Sequence, residues 1–320
     1  MITGTRSGSW IAAFPAGPAL MRLTSRTVPS EPTYLLGIVH FDCVPGVRAR
    51  LLNGEIEFHE GLTVTKYEAA HPDDPALQMH LPAGENDCLL CQSNDGPLTE
   101  EHLWSEWISN YLTSHGAWFP QNRGFETAPA GPRPPVLCDD CNNRWGSVLE
   151  GDVKAIMVPM FEGTWHLDRA QQERLAVWAT KTALVLDSLN PVRVVPRAVG
   201  HALRLGHRPP DGVTVWMSPF LGTTRALAAS SSPLHFPFPD EEPDPSRQPN
   251  AFVATFTVFR VAFQVLINFA VGELELSGGR PDVEACLMRI WPTEHDRIDW
   301  TSGPVFWDHT LELLDRRIHD

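Results

Sequence analysis

The chain has 320 residues, 42 % hydrophobic and 20 % charged, with 39 acids against 25 bases and a net charge of −14. That length fits two or three domains, the composition supports a buried core and excludes global disorder, and no run reaches the ~20 apolar residues of a membrane-spanning helix. So acidic a surface repels phosphate backbones at long range, which excludes non-specific DNA coating but leaves room for one local site on nucleic acid.

The apolar stretch 10–21 follows Arg6 but is broken by Pro15, Gly17 and Pro18. It reads as a disordered leader, or as residues ahead of a start at Met21, rather than an export signal. Residues 30–82 read as β-rich: an apolar strand at 35–41, an Asn53-Gly54 turn between two short strands, and alternation over 62–67. Leu103, Trp107, Ile108 and Leu112 share helical spacing, and so do Trp145, Leu149, Val153, Ile156 and Met160. A third helix carries Leu175, Trp178, Val185 and Leu189 and stops before Pro191. Further on, 213–217 is a strand, 230–250 a Pro-rich linker, and 252–271 two strands joined near Phe259-Arg260. A strand at 287–291 and a helix at 307–318 close the chain. The expected domains are 1–84, a leader and small β-rich region; 85–165, a zinc module; and 166–320, an α+β domain containing the linker.

Cys88 and Cys91 form one C-x-x-C pair, and Cys138 and Cys141 another. Each pair places two thiolates on one tight turn, and two such knuckles supply the tetrahedral four-cysteine set of structural Zn2+ sites. A disulfide scaffold is a poor reading for a chain this long without an export signal, and a cytoplasmic location follows. Cys43 and Cys286 read as core residues.

Thr99-Glu100-Glu101-His102 follows the first knuckle, and the second runs into Cys141-Asn142-Asn143-Arg144-Trp145 with Glu150 beyond. Knuckle, Glu-His, knuckle ending in Cys-Asn, then helix resembles the HNH endonucleases, in particular uncharacterised bacterial HNH-like proteins. The resemblance implies an α+β chain with a zinc-stabilised treble-clef, or ββα-metal, core. It implies His102 as the general base that activates water for phosphodiester hydrolysis, a role suited to an imidazole near neutrality. It further implies Glu101 and Asn142 as ligands of a catalytic Mg2+ or Mn2+, with Glu150 a further candidate. The partner implied is nucleic acid, DNA first, with no membrane.

The family's middle Asn has no counterpart in the stretch 130–135, and Asn110 and Asn122 are the alternatives. Residues 86–165 carry four bases and eleven acids. Other readings stand beside the nuclease. Glu101-His102 can open a helix, Asn142 can cap one, and the module can be a non-catalytic binder of protein or nucleic acid. Trp145 and Trp178 read as core aromatics, and His115 and His166 as unassigned polar groups.

Overall fold

The computed structural model is a mixed α+β chain. It describes residues 79, 81–115, 131–222, 225–236, 249–269, 281–300 and 303–316, together with the pairing of seven strands between residues 2 and 69. Two compact units divide it. One comprises residues 1–80, 234–251 and 268–274, and the other 81–233, 252–267 and 275–320.

In the first unit, β1 (Ile2–Gly4), β3 (Ala19–Ser25), β4 (Thr33–Cys43) and β7 (Leu62–Ala69) make one sheet in that order. A second sheet joins β2 (Ser9–Ile11), β5 (Arg48–Leu52) and β6 (Glu55–Phe58). β5 pairs antiparallel with β6, with Leu52 opposite Glu55 on either side of Asn53 and Gly54, which themselves lie outside the described residues. The expected disordered leader instead supplies β1 to β3. The side chains of this region, Cys43 included, lie outside the described residues, as does Asn122.

In the second unit, β11 (Val213–Pro219), β12 (Leu227–Leu234), β13 (Ala251–Val258), β14 (Val261–Asn268) and β15 (Met288–Trp291) form a sheet in the order β12-β13-β14-β11-β15. The β13–β14 turn is Phe259-Arg260, where the sequence places it, with Phe259 at φ 52°. All eight residues of β13 are buried, so both faces of the sheet are covered. The linker assigned to 230–250 begins instead as β12, an edge strand where Pro233 costs no ladder bond. Its residues 237–248 lie outside the described ones.

One face of the sheet meets α3 (Arg169–Leu189), with the Trp178 ring 6.0 Å from Phe256 and 5.7 Å from Phe263. Asp168 and Gln171 form a reciprocal capping box that starts this helix. The helix is buried from Leu175 through Asp187, a central element rather than an amphipathic surface one. Against Ala262 of β14 gather Phe220, Val283, Cys286, Phe306, Leu311 and Leu314, the last two from the terminal α6 (Asp308–Arg316). Cys286 is thus a core residue, as expected. His166 pairs with Asp299 across the short ladder of β10 (His166–Asp168) and β16 (Arg297–Asp299). No helix among the described residues is long and apolar enough to cross a membrane.

Candidate metal centre and the His102 strand

The first knuckle turns tightly because Cys88 N–H donates to the Ser93 carbonyl (3.1 Å) and Gln92 N–H to the Cys88 carbonyl (3.0 Å). Gln92 takes a left-handed conformation, φ 65°, to close it. The chain then pairs β8 (Thr99–Glu100) with β9 (Pro135–Leu137). β9 delivers the second knuckle directly into a π-helical turn, Asp140–Gly146, which continues as α2 (Ser147–Phe161). Gly146 suits this wide turn, since a Cβ there would lie 3.1 Å from the Cys141 carbonyl oxygen.

The two knuckles bring all four thiols together. The Sγ atoms of Cys88, Cys91, Cys138 and Cys141 lie within 4.8 Å of one another, and those of Cys91 and Cys138 are 3.4 Å apart. Tetrahedral Zn–S bonds of ~2.3 Å put sulfurs about 3.8 Å apart, so the cluster has the size of a metal site. All four thiols are free. They share protons unequally. Hydrogen bonding from Cys141 holds the Cys88 thiol down to about 4. Burial pushes Cys91 up to about 11, and the neighbouring Cys88 pushes Cys141 upward. A metal cation is what allows all four to ionise together. The four cysteines could therefore hold a metal ion such as zinc.

A helix not anticipated from sequence spans both knuckles. α4 (Arg197–Gly206) pairs Arg197 with Asp87 and accepts the Gln92 side chain on the Arg197 carbonyl (2.8 Å). At the second knuckle Arg204 donates to Asp140 (3.1 Å), its guanidinium 5.7 Å above the Trp145 ring. Trp145 is buried and donates to His207 (3.3 Å), a core aromatic as expected. Between these anchors Gly200 lies on the first knuckle, where a Cβ would come 1.9 Å from the Leu89 carbonyl oxygen. Gly200→Ala should therefore cost about 3 kcal/mol, at the upper end of ordinary overpacking because backbone must move. Thermal unfolding and the rate of metal loss to a chelator should both report it; a variant unchanged in both would refute this packing.

The catalytic candidates sit one strand away from the thiols. Glu101 N–H donates to the Pro134 carbonyl (2.9 Å) and Leu103 N–H to the Pro132 carbonyl (3.1 Å), so the β8–β9 pairing continues through His102. Glu101 therefore does not open a helix; α1 begins later, at Glu106–Ser114. Asn142 does not cap one either. Its amide donates to Thr99 Oγ1 (2.9 Å) and to the Glu100 carbonyl (3.0 Å), fastening the start of the π-helical turn to the strand that leads into His102.

Alternation along the strand separates Glu101 from His102. Glu101 points inward, 2 % exposed, and ion-pairs at 2.5 Å with Lys181 of α3, which is 3 % exposed. Glu150 reaches the same ammonium (3.1 Å). Burial raises the Glu101 carboxyl despite Lys181, and the two carboxylates outweigh burial to raise Lys181. His102 is half-buried on the outer side; burial first, then Arg133, lowers it, so the imidazole is neutral at neutral pH. Asn110, offered as a substitute for the family's middle Asn, is exposed on α1.

Sequence reasoning brings out Glu101, His102, Asn142 and Glu150 but misses Lys181. The available signal was one of only three lysines in the chain, set inside an apolar helical run. As the residues stand, the expected Mg2+ or Mn2+ site at Glu101, Asn142 and Glu150 does not fit. Both carboxylates are engaged by a buried ammonium, and a divalent cation would have to displace it. The chain matches no family model, no curated protein and no solved structure.

Proposed function

We propose that residues 85–165 form a treble-clef zinc module of the HNH type. Its activity is hydrolysis of nucleic-acid phosphodiesters, DNA first among them, with His102 as the general base. Zn2+ on Cys88, Cys91, Cys138 and Cys141 has a structural role, closing a site of four sulfurs. The observation that carries the reading is the Asn142 side chain bonded to the Glu100 carbonyl, which joins the Cys-Asn motif to the Glu-His motif beside the sulfur cluster. A neutral imidazole on the outer side of that strand can take a proton from water.

A second reading is favoured by Lys181. With Glu101 and Glu150 neutralised from within, the module binds nucleic acid and does not cut it. Cleavage assays decide between the two, using labelled single- and double-stranded DNA and RNA at low salt, with Mg2+, with Mn2+ and with neither. The nuclease reading expects cleavage that falls at least ~100-fold in His102→Ala, the scale of a lost general base, with zinc content and thermal stability unchanged. Wild type that cuts none of these substrates, or His102→Ala that cuts as well as wild type, leaves only the binding reading.

A further inference from the structure

The same two backbone bonds that continue the β8–β9 pairing fix what stands across from His102. With Leu103 N–H on the Pro132 carbonyl and Glu101 N–H on the Pro134 carbonyl, His102 and Arg133 are directly opposed. They form a pair without mutual hydrogen bonds, the class in which side chains come closest, with Cβ atoms about 4.5–5.5 Å apart on one face. Burial agrees. Glu101 and Leu103 face inward, while His102 is half-buried and Arg133 exposed.

The backbone on either side of Arg133 is constrained. Pro132 and Pro134 flank it, each fixing its own φ and offering no N–H. Arg144, the module's other described arginine, pairs with Asp140, whereas Arg133 has no ion-pair partner among the described residues. It also lies in the stretch where the expected middle Asn is missing. Glu100, exposed two residues before His102, repels an approaching phosphate, so attraction must come from a cation on the same face. Lys181 is too deeply buried to supply it.

We propose that Arg133 is the phosphate-anchoring residue of this site. Its guanidinium grips the non-bridging oxygens of a nucleic-acid phosphodiester beside the His102 imidazole, in place of a divalent cation at Glu101. Guanidinium suits the task, because its planar fork takes two phosphate oxygens at once and keeps its charge at every working pH. The assignment rests on the reading of His102 as the hydrolytic base.

The test measures binding and cleavage separately on the zinc-loaded full chain. Binding of a labelled single-stranded oligonucleotide is followed by fluorescence anisotropy in a His102→Ala background, so that the probe stays intact. Adding Arg133→Gln should weaken binding roughly tenfold, the scale of a lost charge-assisted hydrogen-bonding pair. It should also reduce the slope of log affinity against log salt by about 1. Arg133→Lys should recover part of the affinity, and Mg2+ should not strengthen binding. Equal affinity with and without Arg133, or a probe that does not bind at all, overturns the assignment. Arg133-dependent binding in a wild type that does not cleave supports the anchor and overturns only the hydrolysis. Cleavage that survives Arg133→Gln unchanged overturns the anchor and leaves the hydrolysis standing.

Discussion

Cys138→Ser should strip the metal and unfold the zinc module. Structural zinc contributes on the order of 10 kcal/mol of apparent binding energy in zinc-dependent folds. The geometry shows why the loss would spread. Leu89 N–H donates to the Val136 carbonyl (3.0 Å), Asn142 N–H to the Cys138 carbonyl (2.9 Å), and α4 is fastened to both knuckles. Without the cation, the thiols crowded within 4.8 Å cannot all ionise together, and the strongest link between the two turns is lost. Metal analysis should find zinc in the wild type and none in the variant, and thermal unfolding should show the main transition shifted down or lost. A variant that keeps its transition and its circular dichroism would refute a structural role for the cluster.

Lys181→Met is the second large effect. It removes the cation from between Glu101 and Glu150 and leaves a carboxylate buried at 2 % exposure. Breaking a buried pair from one side costs about 3–5 kcal/mol. The pH dependence has a fixed sign. Burial already raises the Glu101 carboxyl, and losing Lys181 removes the attraction that opposed it. A carboxyl raised in the folded state contributes stability below its unfolded value, and that stability is lost as pH rises through the folded value. The deficit should therefore be smaller near pH 5 than near pH 8. Adding Glu101→Gln should return part of the stability at the higher pH, since a neutral amide replaces the stranded charge. Urea unfolding at the two pH values measures this; a deficit independent of pH would contradict the buried pair.

What was legible in the sequence was local. Two C-x-x-C pairs, the pairing of the short strands that flank Asn53-Gly54, the break at Phe259-Arg260 and the apolar stripe of α3 are patterns within a few residues, and each lies where its spacing puts it. What escaped depends on pairing between distant segments. Glu101 and His102 are neighbours in sequence, yet strand alternation sends one inward to Lys181, 80 positions later, and the other outward. Arg133 stands opposite His102 only because two backbone hydrogen bonds set the register between segments some thirty residues apart in sequence. α4 carries few strong apolar residues. It packs through Gly200, where the absence of a side chain is the contact, beside the buried Leu203.

The measurement that bears most directly on the whole account is X-ray absorption at the zinc edge of the purified full chain, with metal stoichiometry taken from the same sample. Four cysteine ligands should give one zinc per chain with four sulfur neighbours at ~2.3 Å and no nitrogen or oxygen bound to it. A chain without zinc, or one whose zinc is ligated by nitrogen or oxygen, would contradict it, and the module built on the two knuckles would fall with it.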